Sequence, residues 1–298
     1  MLVANAVAGD SRVQKIAWAM AGAGWEVTLL GKARGDRREE YRLGAARVLL
    51  VPVGDAVAGY ERARLRGRRV TPEREAAYRA ARARITEWDA ADQPTVGRPP
   101  APSTCPETVR GPLLGAAVAG CRAVSGLVDP NGGWRQFNPW FRDLELAFAP
   151  VIEELKPDLI HAHDYHMVGI GARAAARLGA RWVYDAHEYL AGIEVPGRAD
   201  VRARLRRRML LGVEREYIGR ADAVVTVSQG IADRLRADHR LRRPPHVLLN
   251  VPVRADGPAP RDVRARLRLD PGVPLLLYSG GLAPRRGLAA VVDGLAGL

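Results

Sequence analysis

Residues 157–188 read PDLIHAHDYHMVGIGARAAARLGARWVYDAHE. Two short apolar runs, Pro157–His166 and Trp182–Glu188, each stop in a cluster of His, Asp and Glu. Between them lies a helix-like stretch, Met167–Leu178, closed by Gly179. Apolar runs joined by helical crossovers are how parallel sheets are written. Open parallel sheets take their ligands just beyond the carboxyl ends of the strands. The stretch therefore predicts two adjacent strands, Asp158–His163 and Trp182–Ala186, whose titratable ends form one side of an active site.

Upstream, Leu2–Val7 reads as a strand, Arg12–Ala23 as a helix with Val13, Ile16, Ala17 and Met20 on one face, and Glu26–Leu30 as the next strand. Ala46–Val53 is a third strand, and Pro139–Leu155 a strongly amphipathic helix stopped by Lys156-Pro157. Residues 54–131 read as an irregular insertion: Arg62–Trp88 as one solvated helix, Gln93–Pro112 as a Pro-rich loop, and Leu113–Val128 as a small apolar core helix, with a membrane-dipping loop as the alternative. Downstream come helix Ala199–Ile218, strand Ala223–Val227, helix Gln229–Asp238 and a short strand Val247–Leu249. Val251–Asp262 is rich in Pro and Gly, as interdomain linkers are. Leu275–Ser279 opens a new strand and Gly287–Leu298 a new helix. The expected organisation is a Rossmann-like domain over 1–252, a linker over 253–272, and the first strand and helix of a second, incomplete domain over 273–298.

The 298 residues carry a formal charge of +13, nearly all of it arginine; the only lysines are Lys15, Lys32 and Lys156. Such a balance suits anionic partners, phosphates or an acidic membrane surface. Nucleic acid is not expected, because no aromatic residues interleave with the basic ones to stack bases. No apolar run reaches membrane-spanning length and no leader pattern opens the chain, so a cytoplasmic protein is expected. Cys105 and Cys121 lack metal-ligand spacing and read as free thiols. The arginines around the apolar stripe of Ala199–Ile218 permit peripheral contact with the inner face of an anionic membrane.

Strand alternation puts His161 and His163 on one face, and Asp185 with His187 on the corresponding face of the next strand. A carboxylate beside an imidazole orients the ring and raises its pKa, so Asp185 and His187 are the leading catalytic candidates. His163, Asp164 and Glu188 continue the cluster as candidates for contact with a ligand such as a sugar or phosphate. Gly9, Asp10 and Ser11 join the first strand to the first helix, where backbone N–H groups can meet a ligand; Asp10 or Ser11 is equally suited to cap the helix. Gly280, Gly281, Arg285 and Arg286 repeat that arrangement near the end and suit a diphosphate. The run HAHDYH also allows a zinc hydrolase using His161, His163, Asp164 and His166, although Tyr165 stands where such sites place their aspartate. A non-catalytic sugar- or nucleotide-binding module is a further reading.

The ordered set DSRVQKIAWAMAGAGWEVTLL, PDLIHAHD, VYDAHE, ADAVVTVSQGIADRL, LLNVP and LYSGGLAPRRG resembles the family-four glycosyltransferases of the GT-B fold. The resemblance implies two Rossmann-like domains, the first holding the acceptor and the second a nucleotide-diphosphate sugar. It implies sugar transfer with retention of configuration, with no metal and no cofactor beyond the nucleotide sugar. The acceptor class stays open: a glycan, a lipid-linked sugar or a small molecule. By the same resemblance His187 lies near the reacting sugar, Gly9–Ser11 near acceptor and donor phosphate, and His163, Asp164 and Glu188 become acceptor-binding candidates. Arg286 stands where many members carry a phosphate-neutralising lysine, and Gly281 where many carry an arginine. The family's donor domain includes a pair of glutamates that no residues here match, so this polypeptide alone is expected to be an incomplete enzyme that binds donor weakly and does not turn over by itself.

Overall fold

The computed structural model describes residues 1–91, 139–192, 211–252, 262–282 and 286–295. Contacts divide the chain into a larger unit, 1–194 with 199–250, and a smaller one, 195–198 with 251–298. The larger unit opens with α1 (Ser11–Gly22), β1 (Thr28–Lys32), β2 (Glu39–Leu43) and β3 (Ala46–Val51). Helices α2 (Ala56–Leu65), α3 (Pro72–Ala91) and α4 (Pro139–Leu155) follow. The chain then alternates through β4 (Leu159–His163), α5 (Asp164–Leu178), β5 (Arg181–Ala186), β6 (Ala223–Thr226), α6 (Gln229–His239) and β7 (His246–Val247).

Strands β4-β5-β6-β7 form an all-parallel sheet, and β1 pairs in parallel with β3, which carries β2 antiparallel on its far edge. The first residues of the chain join these two sheets. Leu2 bridges both Leu30 and Ala162 in parallel, and hydrogen bonds run from Lys32 N to Asn5 O and from His163 N to Leu2 O. The predicted strand Leu2–Val7 is thus present only as this bridge. It ends early because Asn5 Oδ1 accepts from Val7 N and turns the chain, with Val7 at φ 64°.

Alternation along the strands sorts the side chains between two layers. Ile160, Ala162, Tyr184 and Ala186 pack with Leu144, Phe148 and Ile152 of α4 and with Met167, Val168 and Ala175 of α5. Leu29, Val48 and Leu50 face the other way, onto Val13, Ala17 and Ala21 of α1. Helices therefore cover both faces of a mainly parallel sheet, the Rossmann-like α/β architecture expected from the sequence.

Several boundaries differ from the sequence reading. The single helix Arg62–Trp88 is two, α2 and α3, because Gly67 takes a left-handed turn at φ 64° between them. Glu26–Leu30 is displaced to Thr28–Lys32, and α5 begins at Asp164 rather than Met167. β2 has no counterpart in the reading; its residues are polar and largely exposed, so no apolar alternation marks it. The segments Gln93–Pro112 and Leu113–Val128 lie outside the described residues. So does most of Ala199–Ile218, of which 211–217 are helical and bury Glu214 against Tyr184 and His239.

The smaller unit contains α7 (Val263–Leu267) and α8 (Leu288–Leu295). Leu275–Ser279 is not a strand: no second strand exists among the described residues of this unit to complete a ladder, and Leu276 and Leu277 are exposed.

One close approach shapes the loop before α1. A Cβ on Gly31 would lie 2.8 Å from Asn5 O and 2.9 Å from side-chain atoms of Val7 and Leu50. Gly31→Ala is therefore expected to cost about 1–3 kcal/mol through overpacking. A lowered urea midpoint with an unchanged slope checks this; an unchanged midpoint would show that the loop yields freely.

Candidate functional site

The strand register sets His163 opposite Asp185 and His161 opposite Val183. His161, His163 and Asp185 all project toward the α1 side at the carboxyl end of the sheet, and His187 follows directly after β5. His163 and Asp185 are fully buried, while the side chains of His161 and His187 retain 14% and 18% exposure. His163 Nδ1 lies 3.1 Å from Asp185 Oδ2 and 3.3 Å from His187 Nε2, and His187 Nε2 lies 3.5 Å from Asp185 Oδ2. His163 Nε2 is buried with no acceptor among the described residues, which places the ring proton on Nδ1, donating to Asp185.

The fifth member of the cluster is Arg12, which sequence reading missed. Its Nε donates to Asp185 Oδ2 at 2.9 Å, its Nη2 to Asp185 Oδ1 at 2.7 Å, and its Nη1 to the Leu248 carbonyl at 2.6 Å. The one hint in sequence was a cation at the second position of a helix whose positive dipole end disfavours it.

Electrostatics separates the three histidines. Burial lowers the pKa of His161 strongly, helped by the adjacent His163 ring, and burial lowers His163 despite its bond to Asp185. His187 goes the other way. Burial opposes its charge, but the hydrogen bond and charge of Asp185, with Asp164 and Asp10, outweigh it and raise the pKa. Burial also works against the Asp185 carboxylate, yet the bonds from His163, His187 and Arg12 hold it well below the usual carboxylate range. The site is thus a fixed carboxylate with neutral imidazoles on one side and a protonatable, partly exposed one at its rim. Asp185 reaches no solvent, so it acts through His187, as a positioning residue rather than a group that touches substrate.

The other candidates surround this core. Asp164 stands at φ 65°, where β4 turns sharply into α5; its carboxylate accepts from Tyr165 N at 2.7 Å and faces His166 Nδ1 at 3.4 Å. Its pKa is lowered: burial opposes, and the contacts with His166 and Tyr165 N prevail. Asp10 caps α1, accepting from Val13 N at 3.2 Å, and also receives Asn5 Nδ2 at 2.8 Å. Gly9, at φ 89°, and Ser11 are exposed beside it, and Glu188 is exposed one residue beyond His187. Val7, a β-branched residue in left-handed conformation, holds strain at this loop.

A metal ion has candidate donors here, since His161, His163 and Asp185 each offer an atom within 4.8 Å of the others. Arg12 does not fit that use: its guanidinium already occupies both Asp185 oxygens and would repel a cation there. Asp164 and His166, the remainder of the HAHDYH reading, pair with each other instead.

Gly280, Gly281 and Arg286 belong to the smaller unit, where Tyr278 donates its hydroxyl to Gly281 O at 3.0 Å and Arg286 is exposed before α8. Arg285 lies outside the described residues. Among the described residues no helix is long and apolar enough to cross a membrane.

A family model described as Glycosyltransferase Family 4 matches residues 98–251, more than half of the chain. No curated protein matches it significantly.

Proposed function

The chain belongs to glycosyltransferase family 4, and from that premise we propose that it transfers a sugar from a nucleotide-diphosphate sugar to an acceptor with retention of anomeric configuration. The observation that carries this reading is the Arg12–Asp185–His187 cluster at the carboxyl end of the parallel sheet, where such folds bind ligands.

The geometry removes Asp185 as the nucleophile of a covalent route. A covalent double displacement needs an accessible carboxylate beside the sugar. Asp185 is fully buried with both oxygens held by Arg12, so it cannot attack. His187, at the rim with its pKa raised by Asp185, instead supplies a hydrogen bond and, when protonated, positive charge to an oxygen of the reacting sugar or its departing phosphate. Gly280, Gly281, Arg285 and Arg286 are assigned to the donor diphosphate, and Gly9, Asp10, Ser11, His163, Asp164 and Glu188 to the acceptor side. His163 is buried and serves by shaping that side. The positive balance of the chain supports anionic partners, including an acceptor carried at an acidic membrane surface.

The test is a screen of nucleotide sugars against the purified protein, alone and joined to a complete donor domain of the family, with the anomeric configuration of the product read by NMR. Retained configuration is expected. An inverted product, or transfer that survives loss of every donor nucleotide, would overturn the reading.

A further inference from the structure

We propose that Arg12 is a positioning residue of this site: one guanidinium fixes the Asp185 carboxylate beside His187 and also anchors the chain that leads out of β7 toward the smaller unit. Its bearing on catalysis rests on the transferase reading; its geometry does not.

Arg12 is 4% exposed. A buried guanidinium on the first turn of a helix is unfavourable twice over, through desolvation and through the positive dipole end. Its place is maintained because three of its nitrogens find acceptors: two at Asp185 and one at the Leu248 carbonyl. Leu248 itself continues the pairing of β7, donating its N–H to Thr226 O at 2.8 Å. One turn further along α1, Lys15 Nζ donates to Asn250 Oδ1 at 2.8 Å. The longer segment of the smaller unit starts at the next residue, Val251. The first two turns of α1 therefore hold the site and residues 248–250 of the larger unit together.

The groups that face His187 are Asp185 on β5, His163 and Asp164 at the β4–α5 turn, and Asp10 just before α1. Arg12 reaches it through Asp185. By neutralising part of the carboxylate, the guanidinium limits how firmly His187 keeps its proton. Without it the Asp185–His187 pair would tighten, and His187 would titrate at higher pH. A displacement of residues 248–250 would loosen the same guanidinium, so proton affinity at the site and the position of that segment are linked.

The experiment uses the whole chain and needs no substrate. The His187 ring is followed by NMR across pH, assigned with His187→Gln, in Arg12→Gln, Arg12→Lys and Lys15→Met variants; amide exchange is read at 246–250. Arg12→Gln is expected to raise the His187 midpoint by about one pH unit and to speed exchange around Leu248 at least about tenfold. Arg12→Lys keeps the charge but loses the fork, so a smaller rise with the same faster exchange is expected. Lys15→Met should speed exchange near Asn250 and leave the titration in place. An unmoved or lowered midpoint, or unchanged exchange, in a folded Arg12 variant would overturn the inference. If Arg12→Gln does not fold, Arg12→Lys decides by the same two readings. Sugar transfer enters neither reading, so the inference and the proposed activity fail separately.

Discussion

Asp185→Ala is expected to destabilise the larger unit by about 3–5 kcal/mol, because it strands a buried cation. Arg12 would keep the Leu248 carbonyl as an acceptor, but its charge would have no counterpart in a place water does not reach. Asp185→Asn is expected to do nearly as badly: the amide is neutral, and one of its two ends would present N–H groups to the guanidinium. The pair can be removed together with less harm. Arg12→Met with Asp185→Leu should recover much of the loss, since an apolar pair needs no solvation. For a unit of this size each kcal/mol moves the melting temperature by about 2–4 °C, so the single variants should melt roughly 6–20 °C lower. Calorimetry on wild type, both single variants and the double variant checks this. A double variant as weak as Asp185→Ala would mean that packing, not charge, governs the site.

The same cluster gives the acid response a definite sign. The folded-state pKa of Asp185 is depressed, so its contribution is complete above the unfolded value of about 4 and fades as pH falls below it. His161 and His163 act earlier. Their folded pKa values are also depressed, so only the unfolded chain takes up their protons below about 6.5, and stability falls with pH from there. His187 opposes them. Its raised pKa adds stability below about 6.5 that is lost as pH rises through the folded value.

What the sequence shows of this molecule follows from what is local. β4 and β5 are legible because their apolar runs end in polar clusters, and their alternation alone places His163 and Asp185 on one face. The pairing of Asp185 with His187 is legible for the same reason. Arg12 is not, because the partner that explains it lies 173 residues away and only the fold brings them together. β2 escapes detection because an edge strand with both faces near solvent needs no apolar pattern. Leu275–Ser279 fails in the opposite direction. Its composition is that of a strand, but a strand is a pairing, and within its unit no described neighbour supplies one. The left-handed turn at Asp164 likewise starts α5 three residues before apolar periodicity begins, a backbone choice that composition does not encode.

His187→Ala is expected to lower sugar transfer by about 10²–10⁴-fold, the range for losing a group that donates a proton or hydrogen bond in the transition state. The fold should survive, because the ring stands at the rim of the cluster and Asp185 keeps Arg12 and His163 as partners. Two further readings separate catalysis from architecture. If the imidazolium is the active form, kcat should fall as pH rises through the raised His187 pKa, and His187→Ala should flatten that limb of the profile. His187→Gln retains a hydrogen-bond donor without the charge, so it should restore binding of donor, read as KM, more than it restores kcat. A variant with wild-type kcat would remove His187 from the chemistry. A loss confined to KM would make it a binding group whose contact is the same in ground and transition states. Because His187 is the only ring of the cluster whose proton affinity its neighbours raise, neither of the other two can substitute for it: burial lowers the pKa of His161 and His163 and favours their neutral forms.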